Sequence, residues 1–162
     1  MIREARSADF DSIWLIFQDI VKRGDTYVYS PQTSKTMAFE IWMKRPLKTF
    51  VLVGDDDHIL GTYYIKENRP DLGSHVCRCG FMVASQARRK GIGEKMCRHS
   101  FEQAISLGFR SMQLGYVVST NQASVNLWLK MGFKIVGTVP KAFQHQLFGD
   151  VDVLIMYKDL TK

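Results

Sequence analysis

The sequence predicts one α/β domain of the α+β type, with a mixed central sheet of about seven strands flanked by about four helices. Extended apolar segments and helical patterns follow one another as strand, two helices, three strands, helix, strand, helix and two strands. The 162 residues suffice for one core, and no repeat, linker or low-complexity segment divides residues 1–162. A basic loop with two glycines joins a strand to a crossover helix, which is where open sheets bind ligands.

The N-terminal part is expected to hold a strand at residues 1–5 and two helices. Apolar residues at helical spacing indicate both helices. The first helix is expected to begin after the capping residue Ser7 and to end at Gly24. The second is expected to be capped by Thr33 or Ser34 and to stop before Pro46.

An aromatic segment at residues 26–29, Thr-Tyr-Val-Tyr, separates these helices and is followed by Pro31. It is expected to be a loop or a short extended piece. Aromatic residues at the join of two helices usually pack in the core. Tyr27 and Tyr29 are also candidates for the wall of a substrate pocket.

Three strands are predicted next, at residues 50–53, 59–66 and 76–83. The turn at 54–57 contains three aspartates and is interpreted as a solvated acidic turn rather than a metal site. The third strand leads into the basic loop.

That loop is suited to binding an anion. It ends the segment at residues 83–93, whose sequence is Val-Ala-Ser-Gln-Ala-Arg-Arg-Lys-Gly-Ile-Gly. A helix begins after it, so several backbone N–H groups lack helical partners and carry partial positive charge. Arg88, Arg89 and Lys90 add full charges, and Gly91 and Gly93 allow close backbone approach. The loop is therefore predicted to hold a phosphate or pyrophosphate, and a solvated basic loop is the alternative.

Two common phosphate-binding patterns do not fit this loop. The P-loop spacing is absent, and the dinucleotide pattern needs a third glycine where Met96 stands. The pattern that remains is Arg88-x-x-Gly91-x-Gly93.

The C-terminal half completes the order. The helix after the loop is expected to end at Gly108, and a strand follows at 111–118. Thr120 or Asn121 caps a short helix that ends at Gly132. The last strands are predicted at residues 133–139 and 151–157, joined by a loop at 140–150.

Composition narrows the class of protein. The net charge is +6 and the pI is about 9.3, which favours anionic ligands. No apolar segment is long enough to cross a membrane, and the charged first residues do not resemble a signal peptide, so a cytoplasmic protein is expected. The basic residues cluster in one loop rather than along a helix with aromatics between them, so no nucleic acid is expected as a partner.

The cysteines Cys77, Cys79 and Cys97 do not form a disulfide framework, since their number is odd and two share one strand. They are interpreted as small buried hydrophobic residues. His75 lies on the same side as Cys77 and Cys79, but no fourth zinc ligand is evident, and no metal site is expected.

The glycine loop and a second segment resemble motifs of the GCN5-related N-acetyltransferases, the GNAT family. Residues 121–133, Asn-Gln-Ala-Ser-Val-Asn-Leu-Trp-Leu-Lys-Met-Gly-Phe, are similar to the family's Asn-x-x-Ala/Ser-x-x-Leu-Tyr-x-Lys-x-Gly-Phe. The resemblance covers nearly the whole chain and implies the GNAT fold. It is strongest to an uncharacterised microbial subgroup related to fungal enzymes that acetylate proline analogues. The positions of the carboxylate-binding asparagines of those fungal enzymes are Arg78 and Gly115 here.

The resemblance implies acetyl-CoA as co-substrate and assigns residues to it. The loop would hold the pyrophosphate, and the backbone of Met82 and Val83 would pair with the pantetheine arm. Asn121 would contact pantetheine, with Ser124 as a neighbour. The residues expected to bind acetyl-CoA are Met82, Val83, Arg88, Arg89, Lys90, Gly91, Ile92, Gly93, Asn121 and Ser124.

Both familiar catalytic side chains of the family are missing. Arg78 stands where many relatives have a glutamate that helps to deprotonate the amine, and Trp128 stands where many have a tyrosine acid. The catalytic residue is therefore unknown, with His75, Arg78 and His145 as weak candidates. The candidates for substrate contact are Tyr29, Arg78, His145 and Asp152.

The leading hypothesis is an acetyl-CoA-dependent N-acetyltransferase acting on a small amine, for example an amino acid or analogue, by direct attack on the thioester. One alternative is acetylation of protein N-termini or lysines. Another is a non-catalytic acyl-CoA-binding sensor, which the two missing side chains favour. No membrane is expected as a partner, and a homodimer through the C-terminal strands is expected by analogy with the family.

Overall fold

The computed structural model describes residues 1–162, which form one mixed seven-stranded sheet with helices on both faces. The strands are β1 (Ile2–Glu4), β2 (Lys48–Val53), β3 (Ile59–Glu67), β4 (Val76–Val83), β5 (Ser111–Val118), β6 (Lys134–His145) and β7 (Gly149–Asp159). The helices are α1 (Phe10–Arg23), α2 (Lys35–Phe39), α3 (Ile92–Ser106) and α4 (Gln122–Lys130). The predicted order of elements is confirmed.

The strands lie in the order β1-β2-β3-β4-β5-β7-β6. All neighbours are antiparallel except β4 and β5, which are parallel because α3 crosses over between them. The parallel pair lies in the middle of the sheet and divides it into two antiparallel halves.

The side chains of β3 show how the helices are divided between the two faces of the sheet. The ring of Tyr63 contacts that of His99 on α3, whereas Tyr64 meets Trp42 edge to face at 4.8 Å. Successive strand residues point to opposite faces, so α3 covers one face, and α1 with the segment after α2 covers the other. The main core of 35 buried residues includes residues of both faces.

The start of α1 differs from the prediction. Ser7 does not cap the helix; it begins a short 3-10 turn, Ser7–Asp9, and α1 starts at Phe10. The carboxylate of Asp9 accepts the backbone N–H of Arg6 at 2.7 Å and pairs with Arg3 at 2.8 Å. The expectation for Ser7 was therefore wrong, because the acidic side chain two residues later fixes this turn.

A π-helical turn, Glu40–Lys44, continues α2 toward the sheet. Ser34 caps α2 by accepting the N–H of Met37 at 3.1 Å, one of the two predicted caps. In the π turn the N–H of Arg45 donates to the carbonyl of Glu40 at 2.9 Å, five residues back. Its Trp42 is fully buried and donates its indole N–H to Thr62 on β3 at 3.0 Å.

The predicted loop at residues 140–150 is wrong, because β6 continues to His145 and only a short turn, 146–148, joins it to β7. The pairing of β6 with β7 shifts register between Val139 and Phe143. Pro140 lies in this irregular segment, where its lack of a backbone N–H costs no hydrogen bond to the neighbouring strand. Lys141 there has a φ of 53° and donates its N–H to the carboxylate of Asp152 at 3.0 Å.

The ends of α3 and α4 match the prediction. Gly108 and Gly132 follow the two helices with φ values of 87° and 93°, a left-handed conformation that glycine adopts without strain. None of the helices is long and apolar enough to span a bilayer.

Candidate active site

A cleft opens where β4 and β5 separate. The two strands pair only at Val76 with Ser111 and at Cys77 with Met112, and beyond these pairs they diverge. The resulting cleft has a volume of about 1130 Å³ and is lined by both strands, the glycine loop, α4 and the segment after α1. A cleft at the carboxyl end of parallel strands, next to a loop that opens a helix, is a common ligand site of open sheets.

The edge of β4 that faces this cleft offers backbone groups that are not paired with a neighbouring strand. The N–H of Ala84 donates to Leu60 on β3, and alternate residues of a strand direct their backbone groups to the same side. Met82 therefore turns its N–H and C=O toward Thr62, its partner on β3, whereas Phe81 and Val83 turn theirs toward the cleft. The expectation that the backbone of Met82 faces a ligand is thus corrected, because Phe81 presents its backbone groups to the cleft. The side chain of Met82 is buried.

The glycine loop presents a row of free N–H donors. Within the chain, the backbone N–H groups of residues 89–94 have no hydrogen-bond acceptor, because α3 begins at Ile92 and its first donors precede the helical ladder. Arg89 and Gly91 have φ values of 60° and 74°, which turns the loop in a left-handed curve. Such a concave run of donors at a helix N-terminus fits a phosphate group.

Leu127 limits the room next to this loop. A Cβ on Gly93 would come within 3.0 Å of the Leu127 side chain, so α4 packs directly against the start of α3. Glycine at position 93 thus permits this close approach. At Gly91 a Cβ would meet nothing within 4 Å, so glycine is favoured there only because of the positive φ.

Arg88 shares its end of the cleft with a charged cluster that the sequence did not indicate. Arg23, the last residue of α1, and Asp25 both line the cleft, and each has a buried polar atom without a hydrogen-bond partner. The pKa of Arg88 lies below its usual value, chiefly because of burial and then because of Arg23, while Asp19 and Asp25 oppose the shift.

The start of α4 forms the opposite wall. Asn121 caps the helix by accepting the N–H of Ser124 at 3.4 Å, and both side chains line the cleft as expected. The amide NH₂ of Asn121 has no partner within the chain, so it is available to a ligand carbonyl. Trp128 lies one helical turn after Ser124 and packs against Phe81, with 4.9 Å between the ring centroids.

Aromatic residues line the part of the cleft next to α1. They include Tyr27 and Tyr29, the candidates for the wall of a substrate pocket. Tyr27 donates its hydroxyl to the carbonyl of Phe81 at 2.8 Å, on the open edge of β4. Tyr27 and Tyr29 stack at 5.9 Å, and Tyr29 and Tyr64 both line the cleft. Burial is the largest cause that raises the pKa of each of these three phenols, so they stay protonated and can donate hydrogen bonds.

Arg78 lies where β4 and β5 begin to separate, and its Nε is buried without a hydrogen-bond partner. Lys66, directly opposite on β3, lines the same cleft. Arg45, at the end of the π turn, lines it as well. Arg78, a candidate for substrate contact, thus lies in the cleft together with two cations that sequence patterns had not singled out.

Three other candidates lie outside the cleft. His75 is exposed and precedes β4, at the opposite end of the strand from Val83. His145 is buried, accepts the N–H of Leu147 at 3.0 Å and stacks on Phe148 at 4.6 Å. Neither histidine lines the cleft, which argues against the catalytic role considered for both and the substrate contact considered for His145, because His145 holds the turn between β6 and β7.

Asp152, another candidate for substrate contact, also lies outside the cleft. Its carboxylate accepts the N–H of Lys141 and its backbone carbonyl accepts the N–H of Ser119 at 2.9 Å. Asp152 therefore secures the irregular stretch of β6, outside the cleft.

The three cysteines are free and buried, as their interpretation as small hydrophobic residues implied. Burial is the first cause that raises the pKa of Cys79, which lines the cleft, and it raises that of Cys97 to about 12. Both thiols are therefore protonated and poor nucleophiles. No group of three or more histidine, cysteine or acidic side chains is placed to hold a metal ion.

Comparison with known proteins identifies the family. Residues 10–133 match the model of the acetyltransferase (GNAT) family. The N-acetyltransferase aca1 of Schizosaccharomyces pombe is 37% identical over 84 residues, which are 52% of this chain but only 40% of that protein.

Solved structures agree over the whole length. A GCN5-related N-acetyltransferase from Kribbella flavida is 38% identical with a TM-score of 0.94, and the alignment covers 98% of this chain and 96% of that one. An N-acetyltransferase from Staphylococcus aureus is 26% identical with a TM-score of 0.85, covering 99% and 98% of the two chains. The fold, the glycine loop and the match over residues 10–133 together show that this chain belongs to the GNAT acetyltransferase family.

Proposed function

We propose that the protein is an acetyl-CoA-dependent N-acetyltransferase that acetylates the amine of a small molecule, an amino acid or a related compound. The observation that carries the proposal is the cleft between β4 and β5, with free N–H donors at residues 89–94 at one end and a pocket of phenols and cations at the other. Acetyl-CoA supplies a thioester, whose carbonyl carbon forms a bond with the acceptor nitrogen while the bond to sulfur breaks and the thiolate leaves.

The residues of the cleft fit such a co-substrate. The donors of the glycine loop suit the pyrophosphate, and Arg88 adds a charge there. Phe81 and Val83 offer backbone groups to the amides of pantetheine, in the manner of an added strand. A structure with the same fold from Salmonella typhimurium contains acetyl-CoA, which supports the proposal at the level of the fold alone.

Polarisation of the thioester would come from a backbone N–H. The N–H groups of Phe81 and Val83 point into the cleft at the end of β4, and one fixed donor of this kind stabilises the oxyanion that develops during acyl transfer. Trp128 can only donate a hydrogen bond, since an indole is no acid at neutral pH.

No carboxylate in the cleft is free to act as a general base at the acceptor end. Glu94 is held by Lys130 at 2.7 Å and Arg98 at 2.8 Å, which lower its pKa. Asp25 lies near Arg88, toward the glycine loop. Proton loss from the amine is therefore assigned to water, with rate enhancement from positioning of the two substrates.

Release of the CoA thiol from acetyl-CoA over a panel of amines tests the proposal. The panel contains amino acids, simple alkylamines, a peptide with a free N-terminus and a lysine peptide. We expect turnover of at least one small amine with the N-acetyl product visible by mass spectrometry. Turnover of peptides alone would indicate a protein acetyltransferase, and tight acetyl-CoA binding without any turnover would indicate a sensor; either result would overturn the proposal.

A further inference from the structure

Two cations face each other across paired strands at the deep end of the cleft. Lys66 on β3 and Arg78 on β4 are directly opposite residues on one face of the sheet, and neither forms a salt bridge within the chain. Like charges at opposite positions repel and destabilise a sheet. An arrangement of this kind is expected where a bound anion compensates the repulsion.

A third cation, Arg45, lines the same cleft. Arg45 follows the π turn, and its guanidinium donates a hydrogen bond to the sulfur of Met37 at 3.8 Å but forms no salt bridge within the chain. The pKa of Lys66 lies below its ordinary value, chiefly because of partial burial and then because of Arg78 and Arg45. All three charges thus act on one small volume.

The side chains around these three cations include hydrogen-bond donors but no carboxylate. The phenol of Tyr29 is close enough to Arg78 and Arg45 for both charges to oppose the rise in its pKa that burial causes. Lys66 lies 5.5 Å above the ring of Tyr64. The only carboxylates that line the cleft are Asp25 and Glu94, which lie beside other arginine and lysine side chains.

One atom of Arg78 is a buried donor that has no acceptor within the chain. The Nε of Arg78 is buried and has no hydrogen-bond acceptor, although an unpaired buried donor on a charged group is costly. A carboxylate binds a guanidinium through two parallel hydrogen bonds, one of which can use Nε. The guanidinium of Arg78 thus offers the donors that a carboxylate site needs.

We propose that the acceptor amine carries a carboxylate and that Arg45, Lys66 and Arg78 bind this carboxylate while the amine faces the thioester. The inference rests on the proposed function and names its substrate class. Arg78 lies three residues before Phe81, about 10 Å along the strand. With the length of the arginine side chain, this separation suits a small amino acid rather than a polymer.

The same cations would promote loss of the amine proton. A positively charged surrounding lowers the pKa of a nearby ammonium group, so it favours the neutral amine that attacks the thioester. The charged and titratable groups around this point are Arg45, Lys66 and Arg78 and the hydroxyls of Tyr29 and Tyr64, and Arg69 and the thiol of Cys79 line the cleft as well. This arrangement takes the place of the general base for which no carboxylate is available.

The test compares matched acceptors and matched variants. Amino acids are assayed beside their α-carboxamides, which keep the α-amine and lack the α-carboxylate. Wild-type protein should prefer each acid over its amide by about 10-fold or more in kcat/KM. Arg78→Gln and Lys66→Gln should lose most of this preference, and the acidic limb of the pH–rate profile should move to higher pH. Lys134→Gln, which removes an exposed lysine at the start of β6, is the control for net charge and should behave as wild type.

A binding measurement separates this inference from the proposed function. Glutarate, which has carboxylates but no amine, is titrated calorimetrically into the CoA-loaded protein at constant ionic strength. Binding to wild type and Lys134→Gln, with loss in Arg78→Gln, is the expected result and does not depend on turnover. If amides and acids are acetylated equally, or glutarate does not bind, the inference fails while N-acetyltransferase activity can stand. If glutarate binds but no amine is acetylated, the proposed function fails and the anion site stands.

Discussion

Single residues set the two ends of the cleft. Gly91 and its neighbours present N–H donors at one end, and Arg78 presents an unpaired guanidinium at the other. Between them, Phe81 and Val83 leave a strand edge free. The chemistry proposed for the site thus depends more on backbone groups and fixed charges than on a titrating acid or base.

Gly91→Ala tests the role of the loop conformation. A side chain at a φ of 74° costs about 1–2 kcal/mol, and the loop can avoid this strain by changing shape. Affinity for CoA in a calorimetric titration should fall by about 5-fold or more.

Gly108→Ala is the matched control for this substitution. Gly108 has a φ of 87°, and a Cβ there also meets nothing within 4 Å, but it lies at the far end of α3. It should lose a similar amount of stability and keep its CoA affinity. Equal affinity in wild type and Gly91→Ala would contradict the assignment of the loop.

At the residue level the sequence indicated the loop and Arg78 but missed Lys66 and Arg45. Local motifs such as Arg88-x-x-Gly91-x-Gly93 are read directly from spacing. Lys66 becomes significant only through its pairing with Arg78, and that register depends on how the connection at 68–75 is folded. No local pattern contains this information.

The helix α4 combines capping with ligand binding, and the two roles of Asn121 can be separated. Asn121→Asp keeps an oxygen that accepts the N–H of Ser124 but removes the amide donor. Thermal stability should be retained while CoA affinity falls by about 3- to 10-fold. Asn121→Ala should lose both affinity and about 1 kcal/mol of stability. Unchanged CoA affinity in Asn121→Asp would show that the side chain does not contact the ligand.

The packing of α3 on β3 predicts a dependence of stability on pH. The Nδ1 of His99 lies 2.6 Å from the hydroxyl of Tyr63, and burial lowers the pKa of His99 below 6.5, against the smaller effect of Glu102. Because the folded pKa is depressed, the contribution of neutral His99 to stability is complete above pH 6.5 and is lost as the pH falls through the folded pKa.

Urea unfolding at about pH 7.5 and about pH 5.5 measures this effect. The unfolding midpoint of wild type should fall more between these values than that of His99→Gln, which cannot titrate. An equal fall in both proteins would show that His99 does not couple stability to pH.

Elements with strong local signals were predicted well, and those that depend on partners were not. The strands Val76–Val83 and Ser111–Val118 have the predicted bounds. The extension of β6 through Pro140 to His145 was missed, since proline and charged residues indicate a loop. Pairing with β7 and the contact of Asp152 with Lys141 override that local preference.

At the scale of the molecule, β6 is an edge strand with an apolar exposed surface. Ile135, Val136 and Val139 are 45%, 60% and 43% exposed, on the free side of the sheet. Exposed apolar edge strands associate with other chains unless they are protected. This surface supports the homodimer expected through the C-terminal strands.

Val136→Lys tests this association. Light scattering after size-exclusion chromatography should report a dimer for wild type and a monomer for the variant, since a charge on the apolar edge opposes contact. Ile105→Lys changes a residue on α3 that is 56% exposed and should remain dimeric. A monomeric wild type would contradict the prediction.

The proposed function requires that the separated strands β4 and β5 hold acetyl-CoA with its thioester directed at the cations around Arg78. A crystal structure of the protein with CoA tests this most directly. We expect pyrophosphate oxygens on the N–H groups of residues 89–93, pantetheine along Phe81 and Val83, and the thiol facing the pocket that contains Arg78. CoA bound outside this cleft, or with its thiol directed away from Arg78, would contradict it.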